Sequence, residues 1–150
     1  MKLKIAAFIL VFAAYSLSAV AAGPFTDEMS KCLVKNTNET DRTLLIRWIF
    51  AAMASHPDVK VLSNVSSEKG DELNKDAANL MVALLTKRCK SETQQALKYE
   101  GKNTIEVSFQ ILGQVAMQGL MTNPDVAKYI AGLASHMDKK ALENAFGASK

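Results

Sequence analysis

Two cysteines, Cys32 and Cys89, are the only ones in this chain of 150 residues, 57 positions apart. Whether they join depends on the compartment, and the first residues speak to that. Met1 to Lys4 form a short basic start, Ile5 to Tyr15 are unbroken apolar residues, and Ser16 to Ala22 are mostly small. This is the three-part grammar of a secretory signal, with Ala19-Val20-Ala21 or Val20-Ala21-Ala22 as the cleavage site. The expectation is a cleaved segment 1–22 and a helical domain 23–150. Export places the chain in the bacterial periplasm first, with secretion as the alternative. In an oxidising compartment a Cys32–Cys89 disulfide is the default. Closing so long a loop stabilises by roughly 4 kcal/mol in the chain-entropy account. Neither cysteine belongs to a Cys-x-x-Cys motif, which argues against redox chemistry.

Signal removal changes the charge argument. The whole chain carries +3, with 18 basic and 15 acidic residues. Without Lys2 and Lys4, sixteen basic residues face fifteen acidic ones, or +1. A near-neutral body lacks the basic field that nucleic-acid binding requires. With the signal removed no membrane span is expected.

No window alternates apolar and polar residues with period two, and Ala, Leu, Met, Lys, Glu and Gln dominate. The reading is all-α: a single-domain bundle of about five to seven helices with one disulfide. A first helix is expected from Asp27 to Val34 with Thr26 as its cap. A second runs from near Asn36–Thr40 to Ser55 and ends at His56-Pro57-Asp58. A third runs from Ser66 to Cys89, with Leu73, Ala77, Leu80, Met81, Leu84 and Leu85 as its apolar stripe. Ser91 caps a fourth, stopped at Gly101. Asn103, with Glu106 three residues on, reads as a capping box opening a fifth. Asn123-Pro124 opens a sixth and Asp138 a seventh.

A partial internal repeat accompanies this order. Shifted by 67, Lys35-Asn36-Thr37 falls on Lys102-Asn103-Thr104, Glu39 on Glu106, Leu45 on Leu112 and Pro57-Asp58-Val59 on Pro124-Asp125-Val126. Shared helix-start and helix-stop grammar is the simpler account. A duplicated hairpin with a site at its interface is the alternative.

Candidate functional residues are few. In Leu44–Ala54 every residue but Arg47 is apolar, so this helix is expected to be surrounded, and Arg47 to need a partner such as Asp41 or Glu106. Arg47 beside Trp48 is one candidate for binding an anion or carboxylate. Glu106, Gln110, Gln114 and Gln118 recur every four residues and form a polar ridge, more simply a wet face than a groove. Gly113 and Gly119 in the same helix suggest a close helix neighbour. His56 and His136 are the only imidazoles. Both stand at helix ends beside an Asp, with none of the spacings that mark a metal site. Nucleophile motifs are missing, and the scattered methionines suit packing. Asn38-Glu39-Thr40 and Asn64-Val65-Ser66 match glycosylation acceptors but serve equally as helix starts.

No cofactor or metal is implied. The expected function is an exported, non-enzymatic helical module that binds a protein or small ligand, with Arg47, Trp48, His56, Gln110 and Gln114 as candidate binding residues. Two alternatives remain. One is a small hydrolase built on His and a carboxylate. The other is a carrier of an apolar ligand in a cavity bordered by Trp48, Phe50, Phe109 and Met117.

Overall fold

The computed structural model describes residues 22–147. The expected signal segment therefore lies, except for Ala22, outside the described residues. Eight α-helices follow one another: α1 (Pro24–Lys35), α2 (Glu39–Ala54), α3 (Pro57–Lys60), α4 (Ser67–Ala83), α5 (Lys90–Glu100), α6 (Asn103–Met121), α7 (Pro124–Gly132) and α8 (Lys139–Phe146). The described residues contain no strand. The extra helix relative to the sequence reading is α3, a single turn started by Pro57 where a plain connection was expected.

Local chemistry sets most boundaries. Asn38 Oδ1 accepts from the Asp41 N–H while Asp41 Oδ2 accepts from the Asn38 N–H, a reciprocal capping box. Ser66, Asn123 and Asp138 cap α4, α7 and α8 with their side chains. Gly101 ends α5 at φ +83°, a conformation open to glycine and costly for other residues. Beyond Ala83 the coil of α4 widens into a π turn, Leu84–Arg88, where the Cys89 N–H reaches the Leu84 carbonyl.

Three expected caps fail. Ser91 does not cap α5, which starts one residue earlier at Lys90 and places Ser91 inside its first turn, with no side-chain cap. Thr26 does not cap α1, because Pro24 at its first position starts the helix earlier and puts Thr26 inside it. The first N–H groups of α1 are satisfied instead by Glu100 at the end of α5. Its carboxylate accepts from Phe25 N at 2.8 Å, from Thr26 N at 2.9 Å and from the Thr26 hydroxyl. Asn103 does not cap α6 either: it lies in the first turn, and no side chain caps that end.

The core centres on α1. Met29 and Leu33 pack with Leu45, Leu80, Leu84, Cys89, Ala96 and Leu112. Between α1 and α6 the seam is polar and made of small residues. Thr26 and Thr104 share a hydroxyl hydrogen bond of 2.6 Å, and Ser30 Oγ donates to the Thr26 carbonyl at 2.7 Å and lies 3.1 Å from the Ser108 hydroxyl. Short side chains that satisfy one another bring two backbones close without leaving a buried donor unpaired. The Cys32–Cys89 disulfide is present and ties α1 to the end of the π turn. Beside it, Arg88 donates to the Asn36 carbonyl at 2.8 Å and pairs with Asp41, fixing the α1–α2 corner.

The 67-residue correspondence reaches further than cap grammar. α2 and α6 end at matching positions, Ala54 and Met121, and the residues before the following prolines have one backbone conformation (His56 φ −65°, ψ 133°; Asn123 φ −62°, ψ 132°). Of the six buried residues in 91–126, four sit on buried counterparts: Thr93 on Thr26, Ala96 on Met29, Thr104 on Thr37 and Leu112 on Leu45. The hairpins α1–α2 and α5–α6 thus share part of their burial pattern, although α6 starts at Asn103, three residues before the position that matches the start of α2 at Glu39.

Candidate functional site

The apolar density of α2 does not bury it on all sides. Only Leu45 and Ala54 are buried, while Phe50 and Met53 are 48% and 49% exposed. Their spacing explains what they do. Ile46, Ile49, Phe50 and Met53 recur at three- and four-residue steps and make one stripe along α2. That stripe forms the floor of a groove closed by Val65 and Leu73 on the α4 side and by Met117 and Leu120 from the last turns of α6. The groove has a volume of about 340 Å³, at the small end for ligand sites.

Arg47 and Lys69 complete the lining. Arg47 is exposed rather than buried, so it needs no interior partner. Asp41, one partner considered for it, is taken by Arg88. Burial works to raise the Asp41 carboxyl, but Arg88 and the Asn38 N–H hold it below the ordinary carboxylate range. Lys69 Nζ is bound to Glu72 at 2.8 Å. Among the described residues no carboxylate lies within salt-bridge distance of Arg47, which leaves it as the unpaired cation at the groove. Apart from these two cations, every lining side chain is a hydrocarbon or a thioether. What the groove can offer a ligand is therefore apolar contact with a cationic edge.

The other sequence candidates do not gather here. Trp48 is half-buried and its Nε1 donates to Asn74 Oδ1 at 2.8 Å, which ties α2 to α4. His56 caps α3 by accepting from the Asp58 N–H; its ring and the Asp58 carboxylate stand 3.9 Å apart, both exposed on a turn. His136 is exposed beyond α7. Gln110 and Gln114 are exposed with Glu106 and Gln118, so the ridge is the wet face of α6. Gly113 and Gly119 admit no close neighbour: a Cβ at either would meet nothing within 4 Å. Of the cavity border expected for an apolar carrier, Phe50 and Met117 do line the groove, whereas Phe109 packs against the core. Sequence reasoning missed Ile46, Met53, Leu73 and Leu120. Because every position of Leu44–Ala54 but Arg47 is apolar, the sequence does not mark which face of α2 stays open, and the residues that close the groove come from the α4 side and from α6, far along the chain.

Among the described residues no group of three His, Cys, Asp or Glu side chains could hold a metal ion, and no helix is long and apolar enough to cross a membrane. Comparison with protein-family models, curated proteins and solved structures finds no match to this chain.

Proposed function

We propose that this chain is an exported, non-enzymatic binding module that holds the apolar face of a helical segment in the α2/α4/α6 groove. The bacterial periplasm is the first expected site of action. The observation that carries the reading is the lining: a continuous hydrocarbon surface on which Phe50, Met53 and Met117 remain open to solvent. Solvent-exposed apolar patches of this kind mark interaction surfaces. A helix presenting residues at i, i+3 or i+4 and i+7 matches a groove between three helices. The openness of the groove favours a helix face over a small apolar ligand, which would stay half in water there. Arg47 and Lys69 would favour an acidic residue flanking the apolar face.

The test is fluorescence anisotropy of a labelled amphipathic helical peptide titrated with dilute chain. Saturable binding is expected. The double variant Phe50→Glu, Met117→Glu should weaken it by more than tenfold, because each change buries a charge on complex formation. Equal binding by the double variant, with its fold intact by circular dichroism, would refute the groove as the site.

A further inference from the structure

We propose that two copies of this chain pair by exchanging their C-terminal arms, residues 124–147, each arm laying its apolar stripe in the groove of the other copy. This rests on reading the groove as a site for a helix face.

The arm is helical yet almost without support. Of its residues Val126 alone is half-buried and all others are exposed. It is nevertheless patterned for burial: Val126, Ile130 and Leu133 recur at steps of four and three, one face of a helix, and Met137 follows in extended backbone just beyond the helical stretch. Leu133 is 68% exposed and Phe146, in α8, 83%. The remaining faces carry Asp125, Lys128, Asp138, Lys139, Lys140 and Glu143, balanced in sign, so two arms have no net charge to keep them apart.

The repeat indicates why the arm seeks a second copy. After His56-Pro57 the chain leaves helix at 61–66, and this six-residue connection brings α4 back along α2. After Asn123-Pro124 the turn is the same, held by Asn123 Oδ1 accepting from Asp125 N at 2.9 Å and Val126 N at 3.3 Å. The positions that match 61–66 are 128–133, and they are helical. The reversing connection has become helix. Residues 124–136 therefore run on for about 20 Å at the helical rise before the chain can bend, away from the body that α4 would have covered. Conversion of a hinge into continuous helix is how an element is handed to a second protomer, and reciprocal exchange closes the pair with each groove filled once. An arm of 24 residues (124–147) on a groove also agrees with the roughly 20–30 residues that each side of a stable interface contributes.

The test uses the full chain expressed for export. Light scattering behind gel filtration should give twice the chain mass above about 1 μM, a range typical of modest dimers, and Leu133→Asp should return it to single mass with its helicity kept. Phe50→Cys and Ile130→Cys, made in separate chains and mixed under oxidation, should yield a crosslink between unlike chains. Three results would overturn the exchange: single mass throughout, no crosslink between the unlike chains, or a monomer that sediments with phosphatidylglycerol vesicles. The synthetic peptide 124–147, titrated into the Leu133→Asp chain, separates this inference from the reading beneath it. If the peptide binds while the native chain is monomeric, the exchange falls and the groove stands. If neither the peptide nor the native arm engages Phe50, both fall.

Discussion

The two Pro-started turns of this chain begin alike and end differently. His56-Pro57-Asp58 and Asn123-Pro124-Asp125 share backbone conformation, and in each the residue before proline accepts from the Asp N–H. The first leads through an irregular connection to α4, whose Leu73, Ala77 and Leu80 are buried. The second leads to α7 and α8, which bury no residue. A turn fixes how a chain leaves a helix; whether the next element returns depends on the residues that follow. Val61-Leu62-Ser63-Asn64 break helix before Ser66 can cap a new one. Lys128-Tyr129-Ile130-Ala131, at the matching positions, continue it.

The largest test of this contrast sets a buried leucine against one of the arm. Leu84 is fully buried at the centre of the core, so Leu84→Ala should cost about 2–5 kcal/mol, the usual range for a core cavity. Leu133→Ala, measured in dilute chain, should change stability by less than about 0.5 kcal/mol, as surface changes do. Urea unfolding of both variants checks the pair. Comparable costs would mean that the arm is packed on the body after all, and the contrast between the two halves would fail.

A second pair lies at matching positions of the repeat. The hydroxyls of Thr26 and Thr93 are both buried, but Thr26 is bonded to Thr104 and Glu100 while Thr93 Oγ1 has no partner among the described residues. Thr26→Val should therefore cost about 1–3 kcal/mol, since it strands the groups that remain. Thr93→Val removes a buried hydroxyl that nothing satisfies, and should be neutral or stabilising by up to about 1 kcal/mol. Thermal melts that shift the same way for both would show that the two positions differ less in their chemistry than the hydrogen bonds indicate.

Glu100 extends the contrast to pH. The Thr26 hydroxyl, helped by the Phe25 and Thr26 N–H groups, holds its carboxyl below the ordinary range of about 4.5. A carboxyl lowered in the folded state contributes stability above its unfolded value and loses it as pH falls through the folded one. The α1–α5 contact should accordingly weaken below about pH 4.5, with Asp41, lowered by Arg88, acting in the same direction near its own range. Glu100→Gln should flatten the fall in melting temperature between about pH 5 and pH 3, where ordinary carboxyls titrate. An unchanged slope would show that the Glu100 clamp on α1 does not form. Gly23 supports the same clamp: a Cβ there would overlap the Glu100 carboxylate, so Gly23→Ala should lower the melting temperature at neutral pH and leave a flatter acid limb.

How much of this was legible in the sequence follows the range of each interaction. Caps made within three residues, at Asn38, Ser66, Asn123 and Asp138, were readable, and so was the all-α class. The disulfide was readable because two cysteines leave one pairing. The α1 cap was not, since its acceptor, Glu100, lies 75 residues from Phe25. α2 misled for a different reason. An apolar run normally signals burial all round, but the helices here can surround it on only part of its circumference, and the uncovered part is the groove.

The smallest expected effect concerns the open side of α6. Gly113 and Gly119 cost the helix roughly 1 kcal/mol each relative to alanine, and an added Cβ meets nothing at either position. In a lone chain Gly113→Ala and Gly119→Ala should each raise stability by up to about 1 kcal/mol, with dilute thermal melts as the readout. The two glycines need not remain equivalent once copies pair. Gly119 is next to Leu120 and two residues from Met117 at the groove, whereas Gly113 lies about one turn before Met117 along α6. An arm seated against the end of α6 would bring backbone close to Gly119 and leave Gly113 free. Gly119→Ala should then weaken dimerisation while Gly113→Ala does not, even though both stabilise the monomer. Equal dimer strength in the two variants would place the arm clear of this end of α6, and the occupied surface would have to be sought along α2 and α4 alone.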